Sequence, residues 1–206
     1  MQDAQGRPVT GRVKWRKFAL LAVPGFAATA ALAVALAQGA LAASFAVSGQ
    51  QFKISADSLE GTGFAQYGGV DVNAHDDLIP VAVTSIKRAE LTKLCQSVVM
   101  RLPILGAVSL NLHAGGGGKP VQATDLFLDA TQMSGDAEFT NIEIGRDAST
   151  LDKGPDGAQG MTDVFAQQAD KVQMTKVRQT AWATNAGSFR LNGLDMKVLK
   201  GERECF

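Results

Sequence analysis

The chain has 206 residues with 20 basic and 20 acidic side chains, so its formal net charge is zero. That zero averages two unlike parts: residues 1–42 carry five bases and one acid, and residues 43–206 carry fifteen bases and nineteen acids. The mildly acidic larger part has no clustered Lys and Arg, which excludes the electrostatic footprint of a DNA or RNA binder, and its roughly 160 residues suffice for one domain.

The first element is a targeting layout. Arg7, Arg12, Lys14, Arg16 and Lys17 stand against Asp3 in a basic N-terminus over residues 1–17, and no charged residue follows from Phe18 until Lys53. As a helix, the 22 residues Phe18 to Gly39 would extend about 33 Å, enough for a hydrocarbon core of about 30 Å. Trp15, beside Arg16 and Lys17, suits a cytoplasmic interface. Against retention, Ala40 and Ala42 form the A-x-A pattern of a leader cleavage site with the cut before Ala43, and Pro24-Gly25 interrupts the run. The length favours a single-pass membrane anchor over residues 18–42 with an exported domain, 43–206, outside. The alternative is a signal helix that is cleaved to release a secreted domain.

Beyond Ala43 the pattern is β. Apolar and polar residues alternate in short windows: FKI at Phe52, IPVAV at Ile79, VSLNL at Val108, DLFLD at Asp125, NIEI at Asn141, KVQM at Lys171, SFRL at Ser188 and LDMKV at Leu194. With 22 glycines and few aromatics, eight short strands predict an all-β domain, an antiparallel sandwich or else a curled or elongated sheet. Three loosely similar segments lack a fixed period, so no repeat array is assigned, and sandwich and solenoid both stay open. Ile86, Ala89, Leu94, Val98 and Leu102 approximate helical spacing, with alternation competing, so helix and strand both stay open around Cys95. The Gly- and Pro-containing residues 145–161 read as a surface loop, and a short helix is expected over 163–169.

The two cysteines, Cys95 and Cys205, lie beyond the export segment, and an even count in an oxidising compartment predicts one disulfide. It would pin a C-terminus otherwise prone to fray.

The stretch ALAQGALAASFAVSGQQFKISAD resembles a family of uncharacterised actinobacterial envelope proteins, often labelled "cholesterol esterase". The likeness continues through LCQSVV at Leu94, AGGGGKPV at Ala114, FAQQAD at Phe165, QTAWAT at Gln179 and the terminal GERECF. It implies a cell-surface protein of unknown mechanism with an N-terminal membrane helix and two cysteines.

The esterase label finds little support in the residues. No G-x-S-x-G elbow is present, AGSF at Ala186 being the nearest fragment, and a triad on another fold could use only His75 or His113 as base. His75 sits beside Asp76 and Asp77 in a polar turn, and His113 ends a strand-like run. In HAGGGGKP, His113 replaces the first Gly of a Walker loop and Pro120 replaces its Ser or Thr. The acidic sets His75, Asp76, Asp77 and Asp147, Asp152, Asp156 lack the ligand spacing of an EF-hand. We therefore assign no catalytic, cofactor or metal residue. The expectation is a cell-envelope binding or structural module that takes an apolar ligand such as a lipid or sterol, or docks a membrane-protein partner. The alternative, a lipid-ester hydrolase, predicts a Ser within hydrogen-bond reach of His75 or His113.

Overall fold

The computed structural model describes residues 48–206; the basic segment 1–17, the apolar segment 18–42 and the cleavage position at Ala40, Ala42 and Ala43 lie outside the described residues. The described chain is all-β, with strands β1 (Phe52–Val72), β2 (Leu78–Thr92), β3 (Leu94–Leu102), β4 (Gly106–Ala114), β5 (Val121–Thr140), β6 (Glu143–Asp147), β7 (Phe165–Asn185), β8 (Ser188–Arg190) and β9 (Asp195–Lys200). A 3-10 turn at Ala148–Thr150 follows β6, and there is no α-helix among the described residues. Every strand pairing is antiparallel.

Strand β1 pairs with both β2 and β7, and β5 pairs with the same two, so these four strands close into a ring. The outcome is a curled sheet whose ends meet, not two stacked sheets. Its stagger is large. A path from Asp136 of β5 through Thr175 of β7, Ser58 of β1 and Thr92 of β2 returns to β5 near Val121, about fifteen residues from its start. Such a shear across four strands requires steeply wound strands, which explains why β1, β5 and β7 run to 21, 20 and 21 residues where short strands were expected.

Winding demands local breaks in the pleat, because a regular strand cannot bend that far. Buried positions step by three residues instead of two at Gly61 to Phe64, Ala123 to Leu126 and Met174 to Val177. Each step contains a residue at positive φ: Gly63 at 69°, Asp125 at 47° and Lys176 at 54°. At Gly63 a Cβ would also fall 2.7 Å from the Lys153 carbonyl oxygen, so the site takes only glycine comfortably. Strand β2 makes the same step from Ile86 to Ala89. That step imitates helical spacing, and the segment that left helix and strand open is the end of β2 followed by β3. The short helix expected over 163–169 is likewise replaced by the start of β7, whose Ala166, Gln168 and Ala169 are buried.

The 145–161 segment is less of a surface loop than its composition implies. Leu151 and Ala158 are buried with Ala65, Ala148 and Ala166 in a second cluster on the barrel wall, against Tyr67, Phe127 and Val164. Gln168, fully buried, fastens it: its Oε1 accepts from the N–H groups of Asp152 and Lys153 at 2.9 and 3.1 Å. Its Nε2 donates to Glu143 and Asp152 at 3.0 and 2.8 Å, so every polar atom of this amide is satisfied. Lys153 adds ion pairs to Glu143 and Asp170 at 3.1 and 3.0 Å.

Strands β3, β4 and β9 extend from the ring as an apron, joined through the pairing of Phe52 to Ser55 with Val98 to Cys95. The C-terminal tail lies across one face of it. Ser109 Oγ donates to the Gly201 carbonyl and accepts from the Arg203 N–H, both at 2.7 Å, and Ser97 Oγ accepts from the Cys205 N–H at 3.0 Å. Cys95 and Cys205 stand at disulfide distance, with sulfurs 2.04 Å apart. Lys53 completes the clasp, pairing with Glu204 at 2.8 Å and lying 5.1 Å from the centre of the Phe206 ring.

Candidate functional site

The inward faces of the ring form an apolar lumen. Leu59 and Phe64 enter from β1, Ile86 from β2, Leu128 from β5, and Val172 and Met174 from β7. Four polar residues also line it, Thr84, Gln96, Gln179 and Thr184, and no ionisable side chain does. The free space is narrow, about 40 Å³. Within this apolar setting the Thr184 hydroxyl is buried without a hydrogen-bond partner. An unpaired buried hydroxyl carries a desolvation penalty of roughly 1–3 kcal/mol, so it is a ready polar contact for an incoming group. Phe189, opposite Ala123 through the β8–β5 pairing, also lines the lumen yet remains 38 % exposed, which places it at the lumen's boundary with solvent.

The lumen does not end at the ring. Directly opposed residues of paired strands point to the same face, and alternate residues along a strand do so too. Leu94 and Gln96 face the lumen, so Val98, Met100 and Leu102 continue the same face along β3. On β4, Leu112, Leu110 and Val108 stand opposite Gln96, Val98 and Met100, and opposite those on β9 stand Met196, Val198 and Lys200. The apron thus carries an apolar face continuous with the lumen, while its other face holds Ser97, Ser109 and the tail.

The residues considered for chemistry are dispersed. His75 is exposed in the β1–β2 turn, organised by Asn73, whose Oδ1 accepts from the N–H groups of His75 and Asp77 at 2.8 and 3.0 Å. His113 is exposed on β4, between Cys95 and Asp195 in register. Among the described residues no hydrogen bond links either imidazole to a serine. Ser188, from the AGSF fragment, instead shares a 2.9 Å hydrogen bond with the Thr124 hydroxyl. Nothing here favours a hydrolase.

The acidic residues serve the loop. Asp147 Oδ1 accepts from the N–H and hydroxyl of Ser149, and Oδ2 from the N–H of Asp163, contacts that hold its carboxyl below the usual range. Asp152 accepts from Gln168. Among the described residues no group of three His, Cys, Asp or Glu side chains is placed to hold an ion. The largest titration shift belongs to Asp129, pushed up to about 6 by burial and then by the charge of Asp71. Burial also raises Asp71 and Tyr67, and the Asp71 Oδ2 atom is buried without a partner. None of these three lines the lumen.

Residues 48–206, the whole described domain, match the family of unknown function DUF6230. The chain belongs to that family. No curated protein and no solved structure matches it. For this DUF6230 chain the comparison therefore adds no activity, ligand or partner, and the geometry must carry the functional reading. Sequence reasoning missed Phe189, Thr184 and the apron's apolar face as site features. A signal for the face was present in LPIL at Leu102 to Leu105, where a turn carries apolar residues instead of the usual polar ones.

Proposed function

We propose that this domain is a cell-envelope binding module that takes a slender apolar ligand into its lumen, with residues 18–42 anchoring it to the membrane and the domain outside. The observation that carries this reading is the apolar lumen with its one unpaired hydroxyl, Thr184, and no charged side chain. Size selects among apolar ligands. Preformed pockets for drug-sized molecules measure roughly 300–1,000 Å³, whereas this lumen leaves about 40 Å³. A rigid sterol would require the barrel itself to widen. A single acyl chain requires less, because Met133 and Met174 are unbranched and adaptable and Phe189 is at the boundary.

The test uses the full purified chain, whose bound lipids are extracted into organic solvent and identified by mass spectrometry, alongside titration with the fluorescent fatty acid cis-parinaric acid. An acyl lipid should copurify, and the probe should brighten on binding and be displaced by that lipid. Phe189→Ala should speed both uptake and release of the probe. A chain that carries no lipid and leaves the probe dark would sink the proposal. So would turnover of p-nitrophenyl or steryl esters abolished by a single Ser or His substitution, which would restore the hydrolase alternative.

A further inference from the structure

We infer that the β3–β4 hairpin tip and the apolar apron face behind it rest on a lipid bilayer. The tip is Leu102-Pro103-Ile104-Leu105, four residues without a polar side chain, and Leu102, Ile104 and Leu105 are all exposed. Ile104 is the sharpest case: it is fully exposed and sits at φ 76°. Pro followed by a positive-φ residue is the arrangement of a type II turn, which favours Gly at the second central position. A β-branched residue there strains the backbone, and a side chain wholly in solvent returns no packing to the domain. Its apolar character is therefore explained by something outside the domain.

Two further observations identify that surface as lipid. A basic side chain borders the apolar face at the tip end: Lys200 on β9, opposite Val108. Apolar residues that enter the acyl region beneath Lys and Arg at headgroup level are the usual composition of an interfacial contact. The entry of the chain points the same way. Nine residues, Ala43 to Gln51, separate the proposed anchor over residues 18–42 from β1, at most about 30 Å of extended chain. They lead to Phe52, which pairs with Val98 on the apron only four residues before Leu102. A domain tethered through that segment would keep the tip near the membrane. Lys197 and Lys200 on the outer strand β9 disfavour the competing occupant, a second copy added edge to edge. The bilayer contact stands whether or not the lumen takes a ligand.

The chain's two cysteines are paired with each other, so Ile104→Cys supplies a single free thiol for an environment-sensitive nitrobenzoxadiazole label. Full-length labelled chain is reconstituted in phosphatidylcholine and phosphatidylglycerol vesicles, with or without nitroxides on the acyl chains. The label at 104 should emit at shorter wavelength and lose intensity to the nitroxides. A label at Asp156→Cys, in the exposed part of the β6–β7 loop, should do neither. Equal, water-like emission at both sites would overturn the inference, as would energy transfer between copies labelled at 104 without acyl quenching, the signature of a second copy on this face. Ile104→Gly is the companion variant: its melting temperature should not fall, while amide exchange at Leu102 to Leu105 should lose the protection conferred by vesicles. Unchanged protection in that variant would also count against a bilayer contact.

Discussion

The barrel and the apron are built from strands of one kind, each with an apolar face, yet closure separates their energetics. In the ring of β1, β2, β5 and β7 the apolar faces meet one another, and Phe64, Ile86, Val172 and Val177 are buried. In the apron the equivalent face has no second layer within the domain, so Met196 and Val198 stay exposed. The opposite face is held by polar contacts and a covalent link, through Ser97, Ser109 and the Cys95–Cys205 pair. Hydrophobic burial is the main term stabilising the barrel. The apron relies instead on the ladder to β1 and on a tail that cannot drift away.

The largest effect is expected where the apron is pinned. Replacing Cys95 and Cys205 by Ser releases a link spanning 110 residues, for which the chain-entropy treatment gives about 4–5 kcal/mol. Native-state hydrogen exchange should then show β4 and β9 opening well before the ring. If all strands lost protection together, barrel and apron would be one cooperative unit and the contrast would fail. Next comes the barrel: Phe64→Ala removes a ring that is 3 % exposed and 5.1 Å from that of Phe139. It should cost about 3–5 kcal/mol in denaturant titration. The matched change in the apron, Met196→Ala, removes an exposed side chain and should stay within about 0.5 kcal/mol. Similar losses for the two would mean that something already covers the apron face.

What could be read beforehand follows the same division. The all-β class and the cysteine pair were legible because period-two alternation and an even cysteine count are local features. Strand length was not, since each three-residue step at Gly63, Asp125 and Lys176 breaks the alternation and makes one long strand look like two short ones. Ile86 to Ala89 even produced a helical spacing, because a bend in a steep barrel and a turn of helix can bury residues three apart. The lumen was illegible for another reason. Its lining comes from β1, β2, β3, β5, β7 and β8, and only closure of the ring brings Leu59 opposite Met174, as only the distant β8–β5 pairing brings Phe189 beside Ala123.

The smallest expected effect distinguishes the regions by pH. Asp129 belongs to the barrel, and burial followed by the Asp71 charge raises its pKa to about 6. A raised carboxyl pKa means that folding disfavours the ionised form. Below about pH 4 the group is protonated in folded and unfolded chains alike and has no effect. As pH rises toward 6 the unfolded chain releases its proton first, so stability falls, and above about 6 the penalty is complete. Two pKa units would amount to about 2.7 kcal/mol, but Asp129 is only partly buried, and solvent screening reduces the expectation to about 1 kcal/mol. Asp129→Asn keeps the shape and removes the charge, so it should match the native chain near pH 4 and exceed its stability by about that amount at pH 8. Denaturant midpoints across that interval measure the difference. Asp129 lies on β5, which pairs with β2, β7 and β8 and with none of the apron strands. Hydrogen exchange near pH 8 should therefore show the gain from Asp129→Asn in the ring strands, with β4 and β9 unchanged. Parallel stability curves for the two chains from pH 4 to 8 would mean that Asp129 is solvated well enough to ionise without penalty.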